Sequence, residues 1–283
     1  GATVRTSSGG ALNTTTVMRN GNVYISSGAK AVNTVLSGYL EVQNGAGASS
    51  TTVEMFGKLH VNSGGFISNT AVNTLGEVVL SGGAAAEHTT INSEGSLHIY
   101  SGAAAADTVV NEGGYLGIGG GAVAFDTEIG YHGTVTVWSG GTVNDNTINE
   151  WGTIILSSGA VANRTTINAN GGFHGFAGAV ALNTEISSGA RLGIGGGGTL
   201  YSTDQEHGAT VVFYEGAKLS GWNDFEGVVL TSGSVNARDA FINFELEDRA
   251  AGEAAVIDDL GNFNGVKRYS VEVAENGQAD GVY

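Results

Sequence analysis

The sequence predicts an all-β fold: a right-handed single-stranded parallel β-helix, a solenoid with about 19 residues per coil. Three observations carry this. Ten glycines stand nineteen residues apart without a slip, at Gly45, Gly64, Gly83, Gly102, Gly121, Gly140, Gly159, Gly178, Gly197 and Gly216. About six further columns recur in step with them. Within each repeat the apolar residues alternate, which is the spacing of a strand, and no window shows the spacing of an amphipathic helix.

The columns justify each element in turn. Immediately after each glycine comes Gly or Ala, from Gly65 and Ala84 to Gly198 and Ala217, so that corner admits only small residues. Three positions on, an apolar column runs through Ile67, Ala86, Ala105 and Val143. A threonine column follows six positions on, at Thr70, Thr89, Thr108, Thr127, Thr165, Thr184 and Thr203, interrupted by Asn146. Because Thr70 shares a face with Val72, these hydroxyls are expected to form a stacked internal or corner hydrogen-bond ladder. A branched column at Val72, Ile91 and Val110 leads into a polar ladder at Asn73, Asn92 and Asn111 and a second glycine column at Gly76, Gly95 and Gly114. Pairs such as Val78 with Leu80 and Leu97 with Ile99 close the repeat as a short strand. Gly and Asn tolerate positive φ and so mark the corners. One repeat cannot bury its apolar face alone, whereas stacked repeats share a continuous core. At ~4.8 Å between strands, about thirteen coils would make a rod roughly 60 Å long. Right-handedness follows the usual chirality of parallel crossovers.

Composition agrees. Proline is absent, as befits strands that are nearly all interior. Charged residues make up 13% of the chain, about half the usual share. The absence of cysteine removes disulfides and thiolate metal sites. A net charge of −16, with no Lys or Arg between Lys58 and Arg164, repels phosphate backbones and argues against nucleic acid as a partner.

Two departures from the period divide the chain. Gly10 to Gly28 is eighteen residues and Gly28 to Gly45 seventeen, so the first coils are expected to lose a residue or two at a corner. After Ser234 the glycine columns stop and charges rise. The expected division is therefore 1–233, β-helix, and 234–283, irregular terminal coils or a cap that shields the open edge. Gly1 begins inside a repeat and Tyr283 ends inside a strand-like run, as in a truncated piece of a longer polypeptide.

The combination Gly-Gly/Ala, Thr-x-Val, Asn-x-x-Gly and then alternating apolar residues resembles the AIDA-type repeats of autotransporter adhesin passengers, over roughly residues 1–233. The tail, with Ile257-Asp-Asp-Leu260, Tyr269-Ser-Val-Glu-Val273 and Asp280-Gly-Val-Tyr283, resembles the segment that often follows such repeats. The resemblance implies a non-enzymatic bacterial surface protein, outer membrane-attached or secreted, that mediates adhesion or self-association. It implies three partners: a protein O-heptosyltransferase that places O-linked heptose on serines and threonines, a host-cell surface receptor or glycan, and an outer-membrane β-barrel in the full-length protein. Nothing in this chain resembles the barrel.

Candidate acceptors follow from the stack. Ser63, Ser101, Ser139 and Ser158 occupy one column just before the corner glycine, where a hydroxyl should be exposed. Serine there could equally cap the turn by bonding to nearby backbone. Trp138 and Trp151 are candidate glycan contacts because large aromatic faces stack on sugars, although they could simply pack along the side of the stack.

Other signals weigh against cofactors, metals and catalysis. Gly193-Ile-Gly-Gly-Gly-Gly198 matches G-x-G-x-x-G, yet its glycines fall where the repeat puts them and no helix follows. His60, His98 and His174 share an outward column but lie ~10 and ~19 Å apart by strand spacing, too far to share a metal. The alternative function is a polysaccharide-binding or polysaccharide-degrading β-helix of the tailspike or lyase kind. Asp126, Glu128, Asp145 and Glu150 would be its carboxylates. They are not concentrated in one column, and no Lys or Arg lies in their coils to serve as a partner.

Overall fold

The computed structural model describes residues 1–245, 257 and 259–272. It is an all-β parallel solenoid of about 13 turns with about 19 residues per turn. The one helical segment among the described residues is the 3-10 turn Leu260–Asn262. The chain forms two compact units, Gly1–Asn146 and Thr147–Tyr283.

From Ala11 to Gln205 each coil contributes one seven-residue strand and one four-residue strand, as in Phe66–Val72 followed by Glu77–Leu80. Long strands pair only with long strands and short with short, always parallel and offset by one repeat: Ile67 opposite Ala86, Val78 opposite Leu97. A coil therefore buries the same columns as its neighbours. In this coil they are Gly65, Ile67, Thr70, Val72, Gly76, Val78 and Leu80. Val72, Ile91, Val110, Leu97 and Ile99 are fully buried, each gaining about 1.5–3 kcal/mol from leaving water.

The inward positions within the long strand are not all two apart: Ile67 is followed by Thr70. A strand of period two cannot do this unless one residue leaves the extended conformation, and Asn69 does so at φ 50°. The long strand is therefore two short walls joined by a left-handed kink. A third corner falls at Asn73–Gly76, closed by the Gly76 N–H donating to Asn73 O at 2.8 Å. Beside it the asparagine ladder forms as expected: Asn92 Nδ2 donates to Asn73 Oδ1 and Asn111 Nδ2 to Asn92 Oδ1, both at 2.9 Å.

The threonine column points inward, but the expected ladder does not form. Thr70, Thr89, Thr108 and Thr127 are at most 2% exposed, and their hydroxyls have no hydrogen-bond partner. Successive strands are ~4.8 Å apart, beyond hydroxyl-to-hydroxyl reach. Asparagine side chains bridge the same gap because their amides are longer.

At the start of the chain the corner glycine is Gly9 (φ 71°), not Gly10, so the spacing to Gly28 is nineteen after all. The shortening is confined to the next coil. There two residues, Ser37 and Gly38, connect Lys30–Leu36 to Tyr39–Val42, whereas four connect Gly47–Val53 to Lys58–Val61.

In the second unit the period loosens towards the end. Register shifts occur between Tyr201 and Thr203 and between Lys218 and Ser220. Gln205 stands in the branched column and is fully buried; its Nε2 donates to Ala209 O (3.0 Å) and Val228 O (3.2 Å). Asn223, in the threonine column, donates to Ser220 O and Gly221 O, both at 3.1 Å. Within the expected cap, Val235–Glu245 pairs in parallel with Lys218–Phe225, and Phe263–Asn264 and Arg268–Glu272 pair with Val235–Glu245. The rest of that expectation, residues 246–256, 258 and 273–283, including Asp280-Gly-Val-Tyr283, lies outside the described residues.

Candidate functional site

The glycine corner is a four-residue turn. N–H groups of Gly65, Ala103, Gly141 and Ala160 donate to the carbonyls of Asn62, Tyr100, Trp138 and Ser157 at 2.8–3.0 Å. That places Ser63, Ser101, Ser139 and Ser158 at the second position of the turn. Gly64, Gly102, Gly140 and Gly159 take the third, at φ 73–78°, as a type II turn requires. Neighbouring corners are tied through their backbones: Gly64 N–H donates to Gly83 O at 3.1 Å and Gly102 N–H to Gly121 O at 3.0 Å.

All four serines are exposed, and none of their hydroxyls makes a hydrogen bond. The turn is closed by backbone alone, so the capping role open to these serines is not the one they play here. Their oxygens lean towards the next coil: a Cβ added at Gly83 would stand 3.2 Å from Ser63 Oγ, and one at Gly178 2.9 Å from Ser158 Oγ. Ser8 and Ser27 belong to the same exposed column, ahead of Gly9 and Gly28. Ser8 comes into the column only when the corner is placed at Gly9 rather than Gly10.

The two tryptophans belong to different corners. Trp138 precedes Ser139, and its half-buried ring lies over Gly117, where an added Cβ would be 2.7 Å from Trp138 Cη2. Trp151 sits at the Asn73-type corner with φ 59°, is exposed, and its Nε1 donates to Glu150 Oε1 at 3.1 Å. Burial pushes the half-buried His98 imidazole below the usual histidine range, against the opposing pull of Glu77. Lys58, bonded to Glu77 at 2.7 Å, holds that carboxyl below the usual range.

Beside the kink of the first unit runs an open groove of about 510 Å³, whose lining includes His88, Asp107, Asp126 and Glu128. His88 Nδ1 and Asp107 Oδ2 are 3.5 Å apart. Asp145 and Glu150 are not among its lining residues. In the second unit a smaller groove brings together Glu185, Asp204 and Asp224. Burial, and then repulsion from Asp224, Glu185, Glu226 and Glu206, raises the carboxyl of Asp204 above the usual range. Among the described residues no three His, Asp or Glu side chains are grouped to hold a metal ion.

No family model and no curated protein matches the sequence. Solved structures do. One is the crystal structure of a TibC-catalysed hyper-glycosylated fragment of TibA, residues 55–350 of that protein. The TM-score is 0.68 and the identity 28%, with 95% of this chain and 92% of that one covered. The fold is shared over nearly the whole of both chains, and the nineteen-residue column pattern is similar to that of the AIDA-type repeat passengers of autotransporter adhesins.

Proposed function

We propose that this chain is a non-enzymatic adhesin passenger displayed at a bacterial surface or secreted, and that it accepts O-linked heptose at the glycine corner, on Ser63, Ser101, Ser139 and Ser158. The observation that carries the proposal is the state of those hydroxyls: exposed, at the apex of a backbone-closed turn, and free of hydrogen bonds. A glycosyltransferase needs an acceptor oxygen it can reach and that no protein bond must first release. Support comes from the similar TibA fragment, which was hyper-glycosylated by TibC. A heptosyltransferase is then the modifying partner, a host receptor or glycan or a second copy the adhesive one, and an outer-membrane β-barrel the export partner in the full-length protein. Ser8 and Ser27 are acceptors of the same kind.

The experiment is co-expression with a protein O-heptosyltransferase followed by intact mass and site mapping. Heptose increments on the glycine-corner serines are the expected result. Increments confined to the kink or to the Asn73-type corner, or an unmodified chain, would overturn the assignment. The groove holding Asp126 and Glu128 favours one competing reading, a polysaccharide-degrading β-helix. Release of reducing ends from bacterial polysaccharides, abolished in an Asp126→Asn, Glu128→Gln variant, would establish that reading instead.

A further inference from the structure

A second pattern lies on the outward face of the short strands, and it skips alternate coils. His98 and Tyr100 stand on one coil, Gly117 and Gly119 on the next, Thr136 and Trp138 on the third; His98 pairs with Gly117 and Gly117 with Thr136. The glycines leave a floor onto which the rings fold. His98 and Trp138 rings are 6.4 Å apart with planes 3° from parallel, and His98 and Tyr100 are 6.3 Å apart at 14°. Tyr115 adds a tilted ring 5.6 Å from His98. The result is one aromatic platform across three coils. The arrangement recurs 76 residues later in the second unit, as His174 and Phe176, Gly193 and Gly195, Val212 and Tyr214. There a Cβ at Gly193 would stand 3.7 Å from Tyr214 Cε2 and 3.9 Å from His174 Nδ1. The core is already closed by the inward columns, so packing does not require these rings. Tyr100, Phe176 and Tyr214 are 47%, 59% and 48% exposed.

We propose that the platform of His98, Tyr100, Tyr115 and Trp138 over Gly117 and Gly119 binds an uncharged oligosaccharide carried by a partner other than this chain. Its size argues for a small ligand. Three strands at ~4.8 Å and four residues at ~3.3 Å cover roughly 200 Å², well short of the ~800 Å² per partner of a stable protein interface. Its charge argues for a neutral one. The platform contains no cation, the stretch from Lys58 to Arg164 supplies none, and the net charge of −16 repels acidic glycans. Parallel rings present apolar faces to sugar C–H groups, while the tyrosine hydroxyls, the indole N–H and Thr136 at the edges offer hydrogen bonds to sugar hydroxyls. This site does not depend on whether the corner serines carry sugar.

The test uses the chain made in a host without any protein glycosyltransferase. It is applied to immobilised neutral hexose and heptose oligosaccharides alongside sialylated and sulfated ones, with tryptophan emission titrations on the hits. Serine already occupies the Tyr100 and Trp138 column at Ser81 and Ser157, so Tyr100→Ser and Trp138→Ser should fold, as checked by the melting temperature. Binding to neutral glycans, at least tenfold weaker in the double variant, is the expected result. The proposal is overturned by no neutral hit, by binding restricted to acidic glycans or to a glycosylated second copy, or by a folded double variant that binds like the parent. Mass mapping of the serines is independent of every one of these outcomes.

Discussion

Two corners of each coil reach the same region of backbone space with different residues. At the first corner the residue is glycine in every coil from Gly9 to Gly216, at φ 70–79°. At the kink in the long strand φ is 49–55° from Thr14 to Ser202, and none of those residues is glycine: Asn69, His88, Asp107, Asp126 and Arg164 are typical, and glycine enters the column only one repeat later, at Gly221 with φ 76°. Positive φ alone therefore does not exclude a side chain. The value of φ matters more: 49–55° lies in the narrow left-handed region open to L-residues, whereas the 70–79° of the type II turn lies at or beyond its edge. Crowding adds to this at some corners only: a Cβ would stand 2.5 Å from Asn44 Oδ1 at Gly64 and 2.9 Å from Ser158 Oγ at Gly178, but would make only ordinary contacts at Gly102, Gly197 and Gly216. The kink side chains at 69, 88, 107, 126 and 164 project into solvent and vary in charge and size.

The strongest way to break this comparison is Gly178→Val. Strain at positive φ and the contact with Ser158 should together cost about 2–3 kcal/mol in denaturant unfolding. Adding Ser158→Gly should recover the contact part. If the double variant is no better than the single, crowding adds nothing and the φ of the turn alone dictates glycine at this corner too. A second test lies just inside the kink. Asp107 turns the chain so that Thr108 faces the core, and its hydroxyl is unpartnered. Thr108→Val should stabilise by about 1–2 kcal/mol, since a buried unsatisfied hydroxyl is costly. A lower melting temperature would mean that the hydroxyl is bonded after all.

Just outside the kink, Asp204→Asn tests crowding of charge. The folded-state pKa of Asp204 lies above its unfolded value of about 3.9. Its ionised form is therefore disfavoured by folding at neutral pH, and this is relieved as pH falls through the folded pKa. The variant should melt a few degrees higher at pH 7, and the gain should vanish by about pH 3. A gain that persists in acid would point to something other than charge. The smallest effect belongs to the kink itself. Asp126→Gly trades relief of left-handed strain against the greater freedom of glycine in the unfolded chain, leaving stability within about 0.5 kcal/mol of the parent. A large loss would show that the kink needs its side chain.

The walls were legible in the sequence because inward residues obey a demand repeated in every coil: Val72, Ile91 and Val110 must each fill the same slot against the same neighbours. The glycine corner was legible for the same reason, and so was the exposure of Ser63 and its column. The kink was also written there, in the three-residue step from Ile67 to Thr70, but a polar column varying from Asn69 to His88 to Asp107 conceals it. The threonine hydroxyls needed a distance, which spacing in sequence does not supply. Of the aromatic platform only Trp138 was legible as a glycan contact, because the aromatic members of its column never stand on consecutive coils. Tyr100 and Trp138 are separated by Gly119, and a search for sameness down a column treats that glycine as noise when it is the floor.

The seventeen-residue coil shows that a wall does not register the length of the corner beside it. Ser37 and Gly38 do the work of four residues, yet Leu40 still meets Leu59 and Ala31 still meets Ala48 in the ordinary register. If a corner can shrink without disturbing the pairing, it can also grow, because closing a longer loop adds only about 0.6 kcal/mol for each doubling of its length. The Asn73-type corner is thus a graft point, a position where evolution or an engineer can insert foreign peptide and have it held outward by the coils on either side.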